Sequence, residues 1–344
     1  MKQLLAISGI LLITLGIPSC MNDEWSFPDF DYTTTYFPYQ WPIRTLVLGD
    51  YYFDNTNDNE LKFLISARMG GVYENKENIS VQFTVDPKLT DSLYASDVKL
   101  QPMPTTMYTL SSPSSILIPS GEFDGGVTVQ LTNAFLDDPL AVTLNYVIPL
   151  KITSSTTDSI LLGNTITANA DPRIAGEWIT RPRNFTCFGV VFVNEYHGRY
   201  LLRGEDQMDS LVNDVHFDTI SYRNKYVERC EVATITTAGK NKVTYSNSVR
   251  RVPSSPGAFK MDITFDASGN ATCIETAGSL FPITGTGKFV KNADEWGGQK
   301  RHTIYLNYSI DDGTYLHKVK DTLVFRDKAV TFNEYTPQIK KAAP

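Results

Sequence analysis

The sequence predicts an all-β protein, an N-terminal immunoglobulin-like β-sandwich followed by a C-terminal antiparallel β-barrel. Short runs of aromatic and β-branched residues, separated by Gly, Pro, Asn and Asp clusters, recur from Asp31 onward. That is the pattern of strands joined by tight turns. No stretch carries a helical period long enough to cross over between parallel strands. The charge also changes sign midway. Residues 21–170 carry 18 acidic and 7 basic side chains, net −11, whereas residues 171–344 carry 20 acidic and 23 basic, net +3. Such a shift divides the chain in two. It also argues against a nucleic-acid partner, because the front half repels phosphate and the back half is only weakly basic.

The first segment in order is a leader. Lys2 precedes an apolar run from Leu4 to Ile17 that closes as Ile17-Pro18-Ser19-Cys20. The run is shorter than the ~20 apolar residues of a spanning helix, and its basic start and small closing residues read as a secretory signal. Its terminal cysteine resembles a bacterial lipobox, which implies a signal peptide over 1–19, lipidation of Cys20 and a tether over 20–30. An ordinary signal with an incidental cysteine is the other reading. Asp23 and Glu24 resemble the surface-export signal of Bacteroidetes lipoproteins. The resemblance implies a lipid-anchored outer-membrane protein facing the cell exterior.

The sandwich is placed over 31–168. Residues 33–39, 45–50, 61–68 and 79–86 are strand candidates, and Val81, Phe83 and Val85 alternate with Gln82 and Thr84 as in a strand with one buried face. Residues 87–94 suit one or two helical turns. Further strands are expected at 108–110, 115–118, 127–132 and 145–152, with turns at 121–126 and 137–139.

The polar segment 167–176, TANADPRIAG, marks the boundary, and the barrel is placed over 174–336. Phe259, Met261, Ile263 and Phe265 alternate with Lys260, Asp262, Thr264 and Asp266. The same period returns at Ile304, Leu306, Tyr308 and Ile310. Other strands are expected at 185–193, 199–203, 215–222, 230–237, 242–246, 271–275, 286–290 and 321–325. About ten antiparallel strands suit a barrel, whose closure removes exposed edges. Cys187, Cys230 and Cys273 read as small buried residues of the barrel wall, with one disulfide among them as the alternative.

Two family resemblances follow. The stretch YTLSSPSSILIPSGEFDGGVTVQLTNAFLDDPLAVTLNYVIPLKITS is similar to the sandwich domain of unknown function that precedes family 18 glycosidase or glycan-binding domains in Bacteroidetes lipoproteins. The stretches NEYHGRYLLRG, YRNKYVERCEVATI and GTGKFVKNADEWGGQKRHTIYLNY resemble an accompanying C-terminal domain of unknown function, for which a lipocalin-like barrel is implied. These families belong to polysaccharide-utilisation systems, which implies a glycan ligand and, as partners, an outer-membrane transporter and other surface lipoproteins.

Catalytic constellations are sparse. There is no GxSxG elbow. Gly285-Thr286-Gly287-Lys288 ends like a phosphate loop, but the leading glycine is missing and Phe289 stands where its Ser or Thr belongs, so it reads as a turn. The family 18 glycosidase run of spaced aspartates is absent. Glu205, Asp206 and Asp209 could form a carboxylate pair, but read as a solvated turn. The Asx-rich loop 54–60 offers oxygen ligands for calcium, yet Asn59 occupies the EF-hand glycine position, and such residues also make turns on their own. No cofactor, metal or enzymatic activity is expected.

Glycan binding needs aromatic faces with polar side chains beside them. Trp296, among charges and glycines in 292–301, is the leading candidate, with a lid packed onto the barrel end as its alternative. Tyr196, His197, Arg199 and Arg203 form a second cluster, and Tyr222, Arg223, Asn224 and Tyr226 a third. For both, cross-strand packing on the barrel exterior is the competing reading. Trp41 is assigned to the sandwich core and Trp178 to barrel closure. The expected function is non-catalytic glycan binding at the cell surface. A role in transporter assembly and a glycoside hydrolase are the other readings.

Overall fold

The computed structural model describes residues 28–250, 257–330 and 333–340. The predicted leader, Cys20 and Trp25 lie outside them. The chain is all-β, a sandwich followed by a closed antiparallel barrel.

Two sheets build the sandwich. The first runs in the order β9-β1-β3-β7-β5, with β1 at Thr34–Tyr36, β3 at Lys62–Gly70, β5 at Tyr108–Leu110, β7 at Asp124–Leu131 and β9 at Ser159–Ile160. The second runs β2-β10-β8-β4-β6, with β2 at Pro42–Val47, β4 at Ile79–Val85, β6 at Ser115–Ile118, β8 at Tyr146–Ser155 and β10 at Phe185–Val193. Phe63, Ile65, Ala67 and Met69 alternate inward from β3 and meet Val81 and Phe83 of β4. Three ladders depart from a purely antiparallel sandwich: β2 runs parallel to β10, β1 parallel to β9, and residues Gln101–Pro102 parallel to β8.

Strand β10 corrects the sequence reading, which gave residues 185–193 to the barrel. It hydrogen-bonds to β8 on one side and β2 on the other. Its near-continuous apolar run, FTCFGVVFV, suits a central strand covered on both faces. Val190 and Phe192 enter the main sandwich core, while Phe185 and Cys187 face a second cluster with Leu89, Leu93 and Tyr335. Trp41 packs edge-on to Phe185 and Tyr335 in that cluster. Trp178 does not close the barrel. It lies in a two-stranded ribbon in the connection between β9 and β10 and donates to the Asp171 carbonyl at 2.7 Å.

The barrel consists of β11 at Gly198–Ser210, β12 at His216–Ser221, β13 at Glu231–Gly239, β14 at Lys242–Ser248, β15 at Ala258–Phe265, β16 at Asn270–Glu275, β17 at Ile283–Trp296, β18 at Gln299–Asp311 and β19 at Tyr315–Asp327. Each strand pairs with the next from β13 to β19, β13 pairs with the first half of β11, and β11–β19 pairing completes the ring. Strand β12 lies on the second half of β11, outside that ring. The sequence period ends β11 too early, because Gly204 and two buried aspartates interrupt the apolar alternation. Asp206 is 1% exposed and Asp209 5%, so they do not form a solvated turn.

Large side chains fill the barrel, among them Tyr200, Tyr245, Met261 and Ile263. Two buried polar groups stand within this packing. Asp321 accepts hydrogen bonds from the hydroxyls of Tyr222, Tyr308 (2.8 Å) and Tyr245 (3.2 Å). His317 lies between Asp206 (Nδ1, 2.8 Å) and Asp312 (Nε2, 2.9 Å). Asp206 Oδ1 has no partner, and the cavity beside it, about 10 Å³, has room for one water. Cys187, Cys230 and Cys273 are all free and buried, Cys187 in the sandwich rather than the barrel wall.

The two halves meet closely. Lys328, 2% exposed, donates from Nζ to the carbonyls of Glu195 (2.8 Å), Asn194 (3.0 Å) and Leu48 (3.5 Å). The Asn194 amide holds the β13–β14 hairpin through the Gly239 and Lys242 carbonyls. At Gly49, φ is +86° and a Cβ would stand 2.2 Å from that of Glu195, so only glycine lets the loop after β2 approach the barrel.

Candidate functional site

The loop after β2 presents three consecutive aromatics, Tyr51, Tyr52 and Phe53. No regular strand or helix turns three neighbours to one buried face, and here the burden is divided. Tyr51 is half-buried. Its hydroxyl accepts the Lys328 amide at 3.3 Å, and its ring meets Phe325 of the barrel at 6.2 Å. Burial, followed by the neighbouring Tyr52 hydroxyl, pushes the Tyr51 phenol up to about 12. Tyr52 leans on Tyr51 at 4.2 Å between centroids and remains 75% exposed, and Phe53 remains 47% exposed.

The Asx-rich segment behind them folds into one helical turn, α1, at Thr56–Asn59. Its polar side chains serve the chain itself. Asp58 is buried, accepts the Val47 amide at 2.9 Å and pairs with Arg44. The Asn55 amide donates to the Val47 and Gly49 carbonyls at 2.7 Å each. Asp54 caps Thr56, whose hydroxyl and amide hold that carboxylate below its ordinary value. The oxygens considered for calcium are therefore the ones that fix the loop.

Between this loop and the chain after the barrel lies a cleft of about 470 Å³, lined by Arg44, Tyr51, Tyr52, Phe53, Asn57 and Lys328, among others. A smaller cavity of about 220 Å³ adjoins it on the far side of the tyrosines, with Asp50, Gln299, Arg301 and His302 on its walls. Both lie where two domains meet, a common place for a ligand site. Lys291 bridges the edge, 2.7 Å from Asp50 and 3.8 Å from Glu195.

The residues singled out from sequence are dispersed. Trp296 is not in a loop but ends β17 in a hairpin with β18, closed by Gly297 and Gly298 at φ +60° and +70°, the backbone of a two-residue primed turn. Its indole donates to the Phe325 carbonyl at 2.9 Å, packs by Leu201 and Val324, and carries Arg301 4.4 Å above its ring. It therefore supports one wall of the smaller cavity through Arg301.

Tyr196 is buried and stacks on Phe265 at 3.8 Å. His197 accepts the Thr237 amide on Nδ1 at 3.1 Å, and burial, with the Lys328 charge, lowers it to about 4. Arg199 pairs with Asp327, and Arg203 with Asp294. Tyr222 turns inward to Asp321 with Arg250 3.7 Å over its ring, whereas Tyr226 stays exposed between Lys225 and Arg229. These residues do not converge on one pocket. Sequence reasoning missed Tyr51, Tyr52 and Phe53, for which three adjacent aromatics beside an Asx loop were the available signal.

Residues 195–329 match the family model described as a domain of unknown function, DUF5627, and residues 30–159 match a second model described as an N-terminal domain. A solved Bacteroides ovatus protein of unknown function shares 36% identity over 90% of this chain and 100% of its own, with a TM-score of 0.84. Two further Bacteroides ovatus structures share 13% identity. One, of unknown function, covers 88% of this chain and 99% of its own at a TM-score of 0.45. The other, a multidomain protein including DUF1735, covers 86% and 94% at 0.43. No curated protein matches the chain.

Proposed function

The chain belongs to the family of the Bacteroides ovatus protein with which it shares 36% identity, and we propose that it is a non-catalytic, lipid-anchored glycan-binding protein of the cell surface. The carrying observation is the exposed Tyr52–Phe53 face beside the 470 Å³ cleft. Aromatic faces held rigidly by neighbours stack on sugar rings at little entropic cost. Arg44 and Asn57 supply planar polar groups for hydroxyls within the same cleft. Asp54 and Asp58 are occupied with fixing the loop, which favours binding over bond cleavage. The filled barrel interior favours a ligand outside it. In this reading Cys20 is the anchor, the ligand belongs to a polysaccharide-utilisation system, and a transporter and other surface lipoproteins are the partners.

The test is a glycan array on the purified protein, run beside an assay for released sugar, with Tyr52→Ala as the site variant. Retention of a glycan without release, lost in Tyr52→Ala, supports the reading. Release of sugar replaces it with a hydrolase. Silence across a broad panel moves the protein to the assembly role.

A further inference from the structure

The outer wall of the barrel has a second groove, independent of the junction cleft. Strands β12, β11, β19, β18 and β17 lie side by side, and a groove of about 550 Å³ crosses them at one level, within the usual size range of ligand sites. The register explains what it contains. Lys288 stands opposite Tyr305, Asn307 opposite Lys320, and Glu205 between Lys320 and Ser221. Cross-strand partners are ~5 Å apart at Cβ, so these side chains share one outward face. The residues Thr286 to Lys288 of the Gly-Thr-Gly-Lys run lie in β17, not in a turn, and line this groove.

Its charge is unusual for the molecule. The protein carries −7 overall, yet Arg223, Lys288 and Lys320 line this groove. Lys320 pairs with Glu205 at 3.2 Å. Arg223 and Lys288 form no ion pair among the described residues. Tyr305 shows 40% of its surface between them. Asp321, below the floor, is buried, which raises its carboxyl against the three tyrosine hydroxyls that donate to it and lower it.

We propose that this groove binds an acidic saccharide, with the Tyr305 ring against a sugar face and Arg223 and Lys288 on its carboxylate or sulfate. A ring face accepts the apolar side of a pyranose, and guanidinium and ammonium groups make charge-assisted bonds to oxyanions. Ser221 and Asn307 stand beside them for hydroxyls. The net negative charge of the whole chain disfavours a nucleic acid at the same place.

The experiment is calorimetry of the purified protein with an oligogalacturonate, a chondroitin sulfate oligosaccharide, inorganic sulfate and a neutral cello-oligosaccharide. Saturable binding of an acidic oligosaccharide that weakens with added salt is expected, and the preferred arm identifies carboxylate or sulfate. Arg223→Ala combined with Lys288→Ala lowers affinity by roughly tenfold or more, as does Tyr305→Ala. Both cations are exposed and form no ion pair among the described residues, so the double variant keeps its fold. Binding of none of the probes, of inorganic sulfate alone, of the neutral oligosaccharide equally well, or unchanged affinity in the double variant overturns the proposal.

Discussion

The ammonium of Lys328 donates to the main-chain oxygen of Glu195 at 2.8 Å, joining the residue after the barrel's last strand to the turn that precedes its first. With Asn194 and Leu48 as further acceptors, one buried side chain ties two separate pieces of chain to its own. Lys328→Met leaves those carbonyls without their donor and costs about 2–3 kcal/mol, read as a lower urea midpoint.

The same lysine gives a pH dependence. Burial depresses Lys328 to about 8, against the opposing Glu195 charge, below the ~10.4 of an unfolded lysine. Between these values the unfolded state binds more protons, so this residue's contribution to stability rises with pH from about 8 to 10. Urea melts at three pH values across that window show a positive increment in the native protein that Lys328→Met lacks.

His317 acts in the opposite direction. Burial works against its charged form, but the hydrogen bonds to Asp206 and Asp312 outweigh it and raise its proton affinity. Its stabilisation is complete below the unfolded value of ~6.5 and is lost as pH rises through the higher folded value. His317→Gln removes that loss, so melts of the two proteins at pH 5.5 and 8.5 differ most at the lower pH.

Trp296 separates structural from binding roles. Trp296→Phe retains an aromatic ring but not the bond to the Phe325 carbonyl, and costs about 1 kcal/mol. Affinity for a cleft ligand changes less than twofold, whereas Tyr52→Ala leaves the urea midpoint within about 0.5 kcal/mol and abolishes binding. A Trp296→Phe protein of normal stability that no longer binds would place Trp296 in the site.

The free thiols are expected to be inert. Burial raises Cys273 to about 12 and Cys187 further, so little thiolate exists at neutral pH. A thiol reagent modifies Cys187 and Cys273 only after denaturant is added.

The barrel was legible where one face is apolar, as at Phe259–Phe265, because burial repeats every second residue. It was illegible at Asp206 and Asp209, where buried carboxylates break that period and are stabilised by partners distant in sequence, His317 and Lys318. The boundary was misplaced because a polar linker precedes a strand that returns to the sandwich. The cleft was beyond reach for a related reason: Tyr51 and Lys328 meet across 277 positions, and no local pattern reports such a meeting.

Both ends of the barrel lead into the sandwich. Strand β10 lies at the middle of a front sheet, and after the barrel Asn333–Glu334 pairs with Pro42 and Ile43 while Gln338 and Ile339 pair with Tyr94 and Leu93. During synthesis, therefore, the sandwich cannot be finished first. Its second apolar cluster waits for Tyr335 to cover Trp41 and Phe185, so a nascent chain must carry an incomplete front half while some 130 residues of barrel emerge. A stop codon shortly after Asp327 would damage the part of the protein made earliest.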